Sequence, residues 1–149
     1  NDHTSQSPRV VPIFDDIGKI SLLSRKYKSG YIVTVLISND QHIGVISLNN
    51  INWVHRFGDI GIVIGEKKYN KGIFASEAYS LILKIAFLKL NLLNVKAGYC
   101  KTNESSEGIL KLFKFKTVGQ YKNMLLIDGK CEDDIVTYLD RESWIKRNS

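Results

Sequence analysis

The most constraining feature of this chain is a change of period. Residues 59–65, DIGIVIG, form a near-continuous apolar run of strand length, and residues 79–90, YSLILKIAFLKL, carry apolar side chains at helical spacing. Between them stands a lysine-rich turn, GEKKYNKGIFASEA, residues 65–78. A strand that passes through a short turn into an amphipathic helix defines a βα unit. The continuous apolar run predicts a strand buried on both faces. Ala78, Leu81, Ile82, Ile85, Ala86 and Leu90 form the buried stripe of a helix over about 75–90. Ser76 and Glu77 suit its first turn, where free N–H groups favour oxygen acceptors and negative charge. Those N–H groups, with Lys67, Lys68 and Lys71 nearby, can bind an anion such as phosphate. The alternative is an ordinary connection with solvated lysines, and neither a Walker loop nor a GxGxxG fingerprint is present.

The remaining segments extend this unit into an α+β domain. IFDDIGKISLLSRKY has apolar residues at 13, 17, 20 and 23, a helical spacing weakened by Gly18. YIVTVLIS and HIGVISLNNI read as a β-hairpin, and WVHRFG leads into the DIGIVIG strand. NVKAGYCK reads as a strand, and ESSEGILKLFK as a short helix over about 105–113. FKTVGQYKNMLLI and CEDDIVTYL read as a hairpin turned at Asp128-Gly129. The expected order is helix, three strands, helix, strand, helix, two strands, with helices on a largely antiparallel sheet.

Composition narrows the class. A chain of 149 residues with 44% hydrophobic content fits one domain with one core. The formal charge of +6 favours anionic partners without requiring them. Cys100 and Cys131 have neither zinc-ligand spacing nor the number for a disulfide framework, so no metal is expected and a reducing compartment is the default. No apolar run reaches the roughly 20 residues of a membrane span, and the N-terminal stretch lacks a signal-peptide pattern. The expectation is a soluble, cytoplasmic protein with no membrane partner, monomeric or homodimeric.

The order of elements and several spaced residues from Tyr31 to Leu139 resemble the GNAT superfamily of acetyl-CoA-dependent N-acetyltransferases. The resemblance implies a mostly antiparallel mixed sheet flanked by helices, with the family's fourth and fifth strands splayed to hold the cofactor. Members of the family normally begin with a strand and a helix before the segment that IFDDIGKISLL matches, and the expectation is a single domain over 1–149 in which a short polar stretch stands in that place. The family's pyrophosphate loop matches NKGIFA, residues 70–75. The resemblance thus assigns coenzyme A to Asn70, Lys71, Gly72, Ile73, Phe74, Ala75 and Ser76. Asn70 stands where Gln or Arg is usual, and Ile73 where Gly is usual. Main-chain groups of Ile62, Val63 and Ile64 would meet the pantetheine arm. Asn103 matches the family's cofactor-facing Asn, and Leu110 stands on the cofactor helix where many members have a Tyr general acid.

Acetyl transfer to an amine needs a neutral nucleophile, a polarised carbonyl and a proton for the leaving thiolate. Asp59 matches a Glu general base of histone-modifying relatives, and strand alternation places Asp59, Gly61 and Val63 on one face. The alternative for Asp59 is a strand-end carboxylate paired with Arg56 or a lysine. His55 is a second candidate base, or a solvated turn residue. Tyr99, Cys100 and Tyr121 are the candidate acids once the usual Tyr is absent, and Tyr99 and Cys100 point to opposite faces. Trp53, Arg56 and Phe57, beside His55, border the expected acceptor cleft. They favour a small-molecule amine, in particular a nucleotide-linked amino sugar. A protein N-terminus, a polyamine, or a degenerate module binding coenzyme A or RNA are the alternatives. A nucleic-acid partner is disfavoured for want of a motif.

Overall fold

A computed structural model describes residues 9–13, 20–27, 30–38, 42–64 and 73–148, with side chains at 44, 46–62 and 75–148. The strands are β1 (Arg9–Ile13), β2 (Ile20–Tyr27), β3 (Gly30–Ser38), β4 (His42–Asn52), β5 (Phe57–Ile64), β6 (Asn94–Cys100), β7 (Lys116–Ile127) and β8 (Lys130–Asp140). The helices are α1 (Ile73–Lys84), continued by a π-helical turn (Ile85–Lys89), α2 (Glu104–Leu112) and α3 (Arg141–Arg147). The strands form one eight-stranded sheet in the order β1-β2-β3-β4-β5-β6-β8-β7. Every neighbouring pair is antiparallel except β5 and β6. A parallel pair needs a crossover, and α1 supplies it.

The α+β architecture and the central elements agree with the sequence, but the first segment does not. Of the helix expected over 13–27, Ile13 ends β1 and residues 20–27 are β2, which is paired on both sides, with β1 and β3; residues 14–19 lie outside the described residues. Its helical spacing spans only three intervals, and Ile20 and Leu22 alternate equally well. Two flanking ladders satisfy the backbone and override a weak period.

DIGIVIG was expected to be buried on both faces, and it is not. Gly58 and Ile60 are buried, whereas Asp59, Gly61 and Ile62 are partly exposed. All the described helices contribute to one core, and the other face of the central strands is polar. Ile46 and Leu48 of β4, Val95 of β6 and Leu139 of β8 are fully buried beneath the helices. The predicted stripe of α1 is half the story: Ala78, Ile82, Ile85 and Ala86 are buried, but so are Tyr79, Leu83 and Phe87. Tyr79 stacks on Phe113 at 5.7 Å and meets Phe115 edge-on at 6.1 Å. Phe87 packs on Trp144 of α3 at 5.4 Å. The π-helical turn, with the Leu90 N–H donating to Ile85 O at 2.8 Å, lets three successive residues, Ile85, Ala86 and Phe87, all face this core. The helix starts at Ile73, so Glu77 lies beyond its first turn.

Local chemistry sets the other boundaries. Asn103 N-caps α2, its side chain accepting the Ser106 N–H at 3.0 Å. Asp140 N-caps α3, accepting from Ser143 N–H at 2.9 Å. The β7–β8 hairpin turns at Asp128 (φ 49°) and Gly129 (φ 79°), the two positive values that a two-residue hairpin turn requires. Among the described residues no helix is long and apolar enough to cross a membrane.

Candidate active site

The site begins where β5 and β6 part. Their parallel pairing covers only Phe57↔Asn94, Gly58↔Val95 and Asp59↔Lys96. Beyond it β5 remains paired with β4 up to Ile64, and β6 with β8 up to Cys100, but not with each other. The two strands are therefore a fork within the sheet. Alternate N–H and C=O groups on its two inner edges lack strand partners and are ready to bind an extended polar ligand. Because α1 carries the chain back from the end of β5 to the start of β6, its N-terminal N–H groups stand toward the wide end of the fork. The backbones of Val63, Ile64, Ile73 and Phe74 lie on these elements, and Ile62, Ala75 and Ser76 are partly exposed. Asn70, Lys71 and Gly72 lie outside the described residues.

Asp59 stands at the apex of the fork, on the face away from α1. Its Oδ1 lies 3.3 Å from Lys96 Nζ, and its Oδ2 accepts from Asn50 Nδ2 at 3.4 Å. Oδ1 is buried without a hydrogen bond, so the contact with Lys96 is an ion pair lacking hydrogen-bond alignment. The lysine-paired alternative for Asp59 is thus realised, and it leaves the carboxylate at the fork. Asn50 reaches it from an irregularity of β4, where its φ is 51°. Lys96 Nζ also lies 4.9 Å from the centre of the Phe57 ring. The structure therefore brings together Phe57 and Asp59 with a residue that sequence reasoning missed, Lys96. The only signal for Lys96 was a charge at an alternate position of NVKAGYC; its partner could be known only from the register.

The other acceptor candidates sit lower, in the turn at the closed end. Trp53 and His55 are exposed there, and Asn52 Oδ1 accepts the N–H groups of Val54 at 3.0 Å and His55 at 2.9 Å. Arg56 (φ 62°) donates from Nε to Asn91 O at 2.9 Å, and its own carbonyl accepts the Leu93 N–H at 2.7 Å. It ties the turn to the chain leaving α1. His55 and Arg56 are thus held apart from the fork's open end.

The acid candidates diverge as alternation requires. Tyr99 packs against the core on the helix side. Burial pushes its phenol above the ordinary value, reinforced by the charge of Glu107 and a hydrogen bond to it. A phenol pushed up in this way is a weaker proton donor to a thiolate. Cys100 faces the opposite side, its Sγ 3.2 Å from Thr102 Oγ1. Tyr121 is exposed on β7, opposite Asp134 of β8. Leu110 is buried in the core cluster, so this helix presents an aliphatic side chain where a phenol was sought.

Among the described residues the face around Asp59 is polar. Gly61 and Gly98 leave it bare just past the fork's apex, Ser47 and Asn49 border it on β4, and Asp134 lies over Gly98. The family model described as the acetyltransferase (GNAT) domain matches residues 12–116. The chain belongs to this GNAT acetyltransferase family. Within it, the chain is 29% identical over 85 residues to the [Ribosomal protein uS5]-alanine N-acetyltransferase of Escherichia coli (strain K12), covering 57% of this chain and 43% of that one. It is 30% identical over 101 residues to YdaF of Bacillus subtilis (strain 168), provisionally named a ribosomal N-acetyltransferase, covering 68% and 55% respectively. This GNAT chain thus spans about half the length of these curated relatives. Mutant forms of the spermidine/spermine N-acetyltransferase SpeG from Vibrio cholerae share its fold, with TM-score 0.73 and 20% identity over 79% of this chain and 72% of that one. A dodecameric structure of spermidine N-acetyltransferase from Vibrio cholerae in an intermediate state gives a TM-score of 0.72 at 20% identity, covering 82% of this chain and 71% of that one.

Proposed function

We propose that this GNAT chain catalyses direct transfer of an acetyl group from acetyl-CoA to a small cationic primary amine. The observation that carries the proposal is the fork: two parallel strands paired over three residues and then parted, with a carboxylate at the apex. Unpaired main-chain groups there fit the amides of a pantetheine arm. The main chain of Ile62, Val63 and Ile64 would hold that arm, and the segment Asn70–Ser76, with the N-terminus of α1, its pyrophosphate. Asn103 and the α2 helix would flank the cofactor. Acetyl-CoA, when bound, supplies an activated thioester.

Asp59 takes the part of general base, accepting a proton from the acceptor ammonium arriving on the open face. Lys96 occupies the carboxylate until that ammonium replaces it. Burial pushes the Tyr99 phenol up and Leu110 is aliphatic, so the thiolate would depart without a strong side-chain acid. The nucleotide-linked amino sugar expected from the 53–57 turn loses support, because Arg56 is engaged with Asn91 O and lies at the closed end. The carboxylates of Asp59 and Asp134 favour an ammonium acceptor instead.

The test is calorimetry and thermal unfolding with acetyl-CoA. A ligand at 100 times its Kd stabilises the native state by about 2.7 kcal/mol, so saturating heat and a rise in Tm are expected. The absence of both effects at millimolar acetyl-CoA would refute the proposal. Thiol release with polyamines, peptides bearing free N-termini and amino sugars then selects the acceptor.

A further inference from the structure

We infer that Asp134 is a specificity-determining residue, whose carboxylate takes the second ammonium of a dicationic acceptor while the reacting amine lies at Asp59. The inference rests on the acetyl transfer proposed above and concerns which amines are chosen. Its starting point is Gly98. A Cβ there would stand 3.1 Å from Asp134 Oδ1, a tight contact, so the glycine leaves the carboxylate room to lie over β6. In register Asp134 pairs with Cys100, and its carboxylate thus reaches back toward the fork's apex.

The opposite wall is equally bare. Gly61 of β5 is two residues past Asp59, as Gly98 is two past Lys96, and a Cβ at Gly61 would meet only Asn49 Nδ2 and Ser47 Oγ, both at 3.6 Å. The two glycines leave the sheet face low beside the fork, with Asp59 at its apex and the Asp134 carboxylate of β8 reaching over β6. Among the described residues no ion pair or hydrogen bond engages the Asp134 carboxylate. Asp59, by contrast, already holds a primary ammonium, that of Lys96, with the Phe57 ring beside it. Gly98, over which the Asp134 carboxylate lies, is two strand residues and one strand spacing from Asp59, roughly 8 Å by ordinary sheet dimensions. A five-carbon diamine spans a comparable length.

The experiment compares 1,5-diaminopentane with pentylamine as acceptors in acetyl-CoA-dependent thiol release. The wild-type chain should favour the diamine in kcat/KM. Asp134→Asn should lower that preference at least about tenfold, the loss of one charge-assisted contact, through KM and not kcat. Gly98→Ala, whose Cβ requires the Asp134 carboxylate to give way by a few tenths of an ångström, should lower the preference in the same direction but by less. A wild-type chain that binds acetyl-CoA but shows no preference for the diamine overturns the inference and leaves the proposed function standing. A preference that survives in Asp134→Asn overturns it too. Absence of acetyl-CoA binding in calorimetry fells both together.

Discussion

Asp140 links the closed end of the fork to solution pH, and replacing it with alanine gives a sharp test. Burial alone pushes this carboxyl up. Hydrogen bonds from Ser143, through N–H and hydroxyl, and from Lys116 at 3.2 Å more than reverse that and bring it from 3.8 to about 2. The difference corresponds to at most about 2.5 kcal/mol. Its side chain is 28% exposed, and solvent screens the contact with Lys116, so the realistic figure is smaller. Helix N-caps replaced by alanine cost about 0.5–2 kcal/mol. The expected loss for Asp140→Ala is therefore about 1–2 kcal/mol at pH 7, read by urea unfolding followed by circular dichroism. A carboxyl depressed in the folded state contributes stability above its unfolded value of 3.8 and loses it as pH falls through about 2. The gap between wild type and Asp140→Ala should therefore be constant from pH 7 to about 5 and should shrink from about pH 4 toward 2. Asp140→Asn, which keeps an oxygen acceptor for the Ser143 N–H, should lose less. A gap unchanged between pH 7 and 2.5 would refute the reasoning.

Two further outcomes follow from the same structure. Phe87→Ala empties a fully buried site against Trp144 and should cost about 3–5 kcal/mol in urea unfolding, with α3 protections in hydrogen exchange lost first; a loss under 1 kcal/mol would contradict the packing described. Asp59→Asn should lower kcat about 10²–10⁴-fold and flatten the rising limb of the pH–rate profile, while calorimetry still detects acetyl-CoA; unchanged kinetics would remove Asp59 from the mechanism.

Legibility in the sequence followed how local each signal was. The Asp128-Gly129 turn and the helix after Asn103 announce themselves within four residues, and both stand where expected. The strand-to-helix change at DIGIVIG identified the fork's first arm. β2 was misread because its apolar residues satisfy both periods, and only pairing with β1 and β3 decides between them. α3 was overlooked although Asp140, Glu142 and Ser143 carry a good N-terminal pattern, since seven residues are too few for a clear apolar stripe. Asp59 was found through the family resemblance, but its partner Lys96 is 37 residues away and adjacent only across a parallel register. Asp134 was hidden in the same way, because what distinguishes it is the glycine beneath it.

The three paired residues at the fork's closed end have a mechanical meaning. They make the sheet two plates, one of five strands and one of three, joined along a seam three residues long. Hinge stiffness comes from elsewhere: the Arg56 carbonyl receives the Leu93 N–H, the Leu93 carbonyl receives the Arg141 N–H, and Arg141 Nε reaches Phe87 O at 3.1 Å. A ligand lying in the fork would rivet the plates at the end where the chain itself leaves them apart, so occupancy should be felt across both plates as a change in rigidity, well beyond the residues it touches.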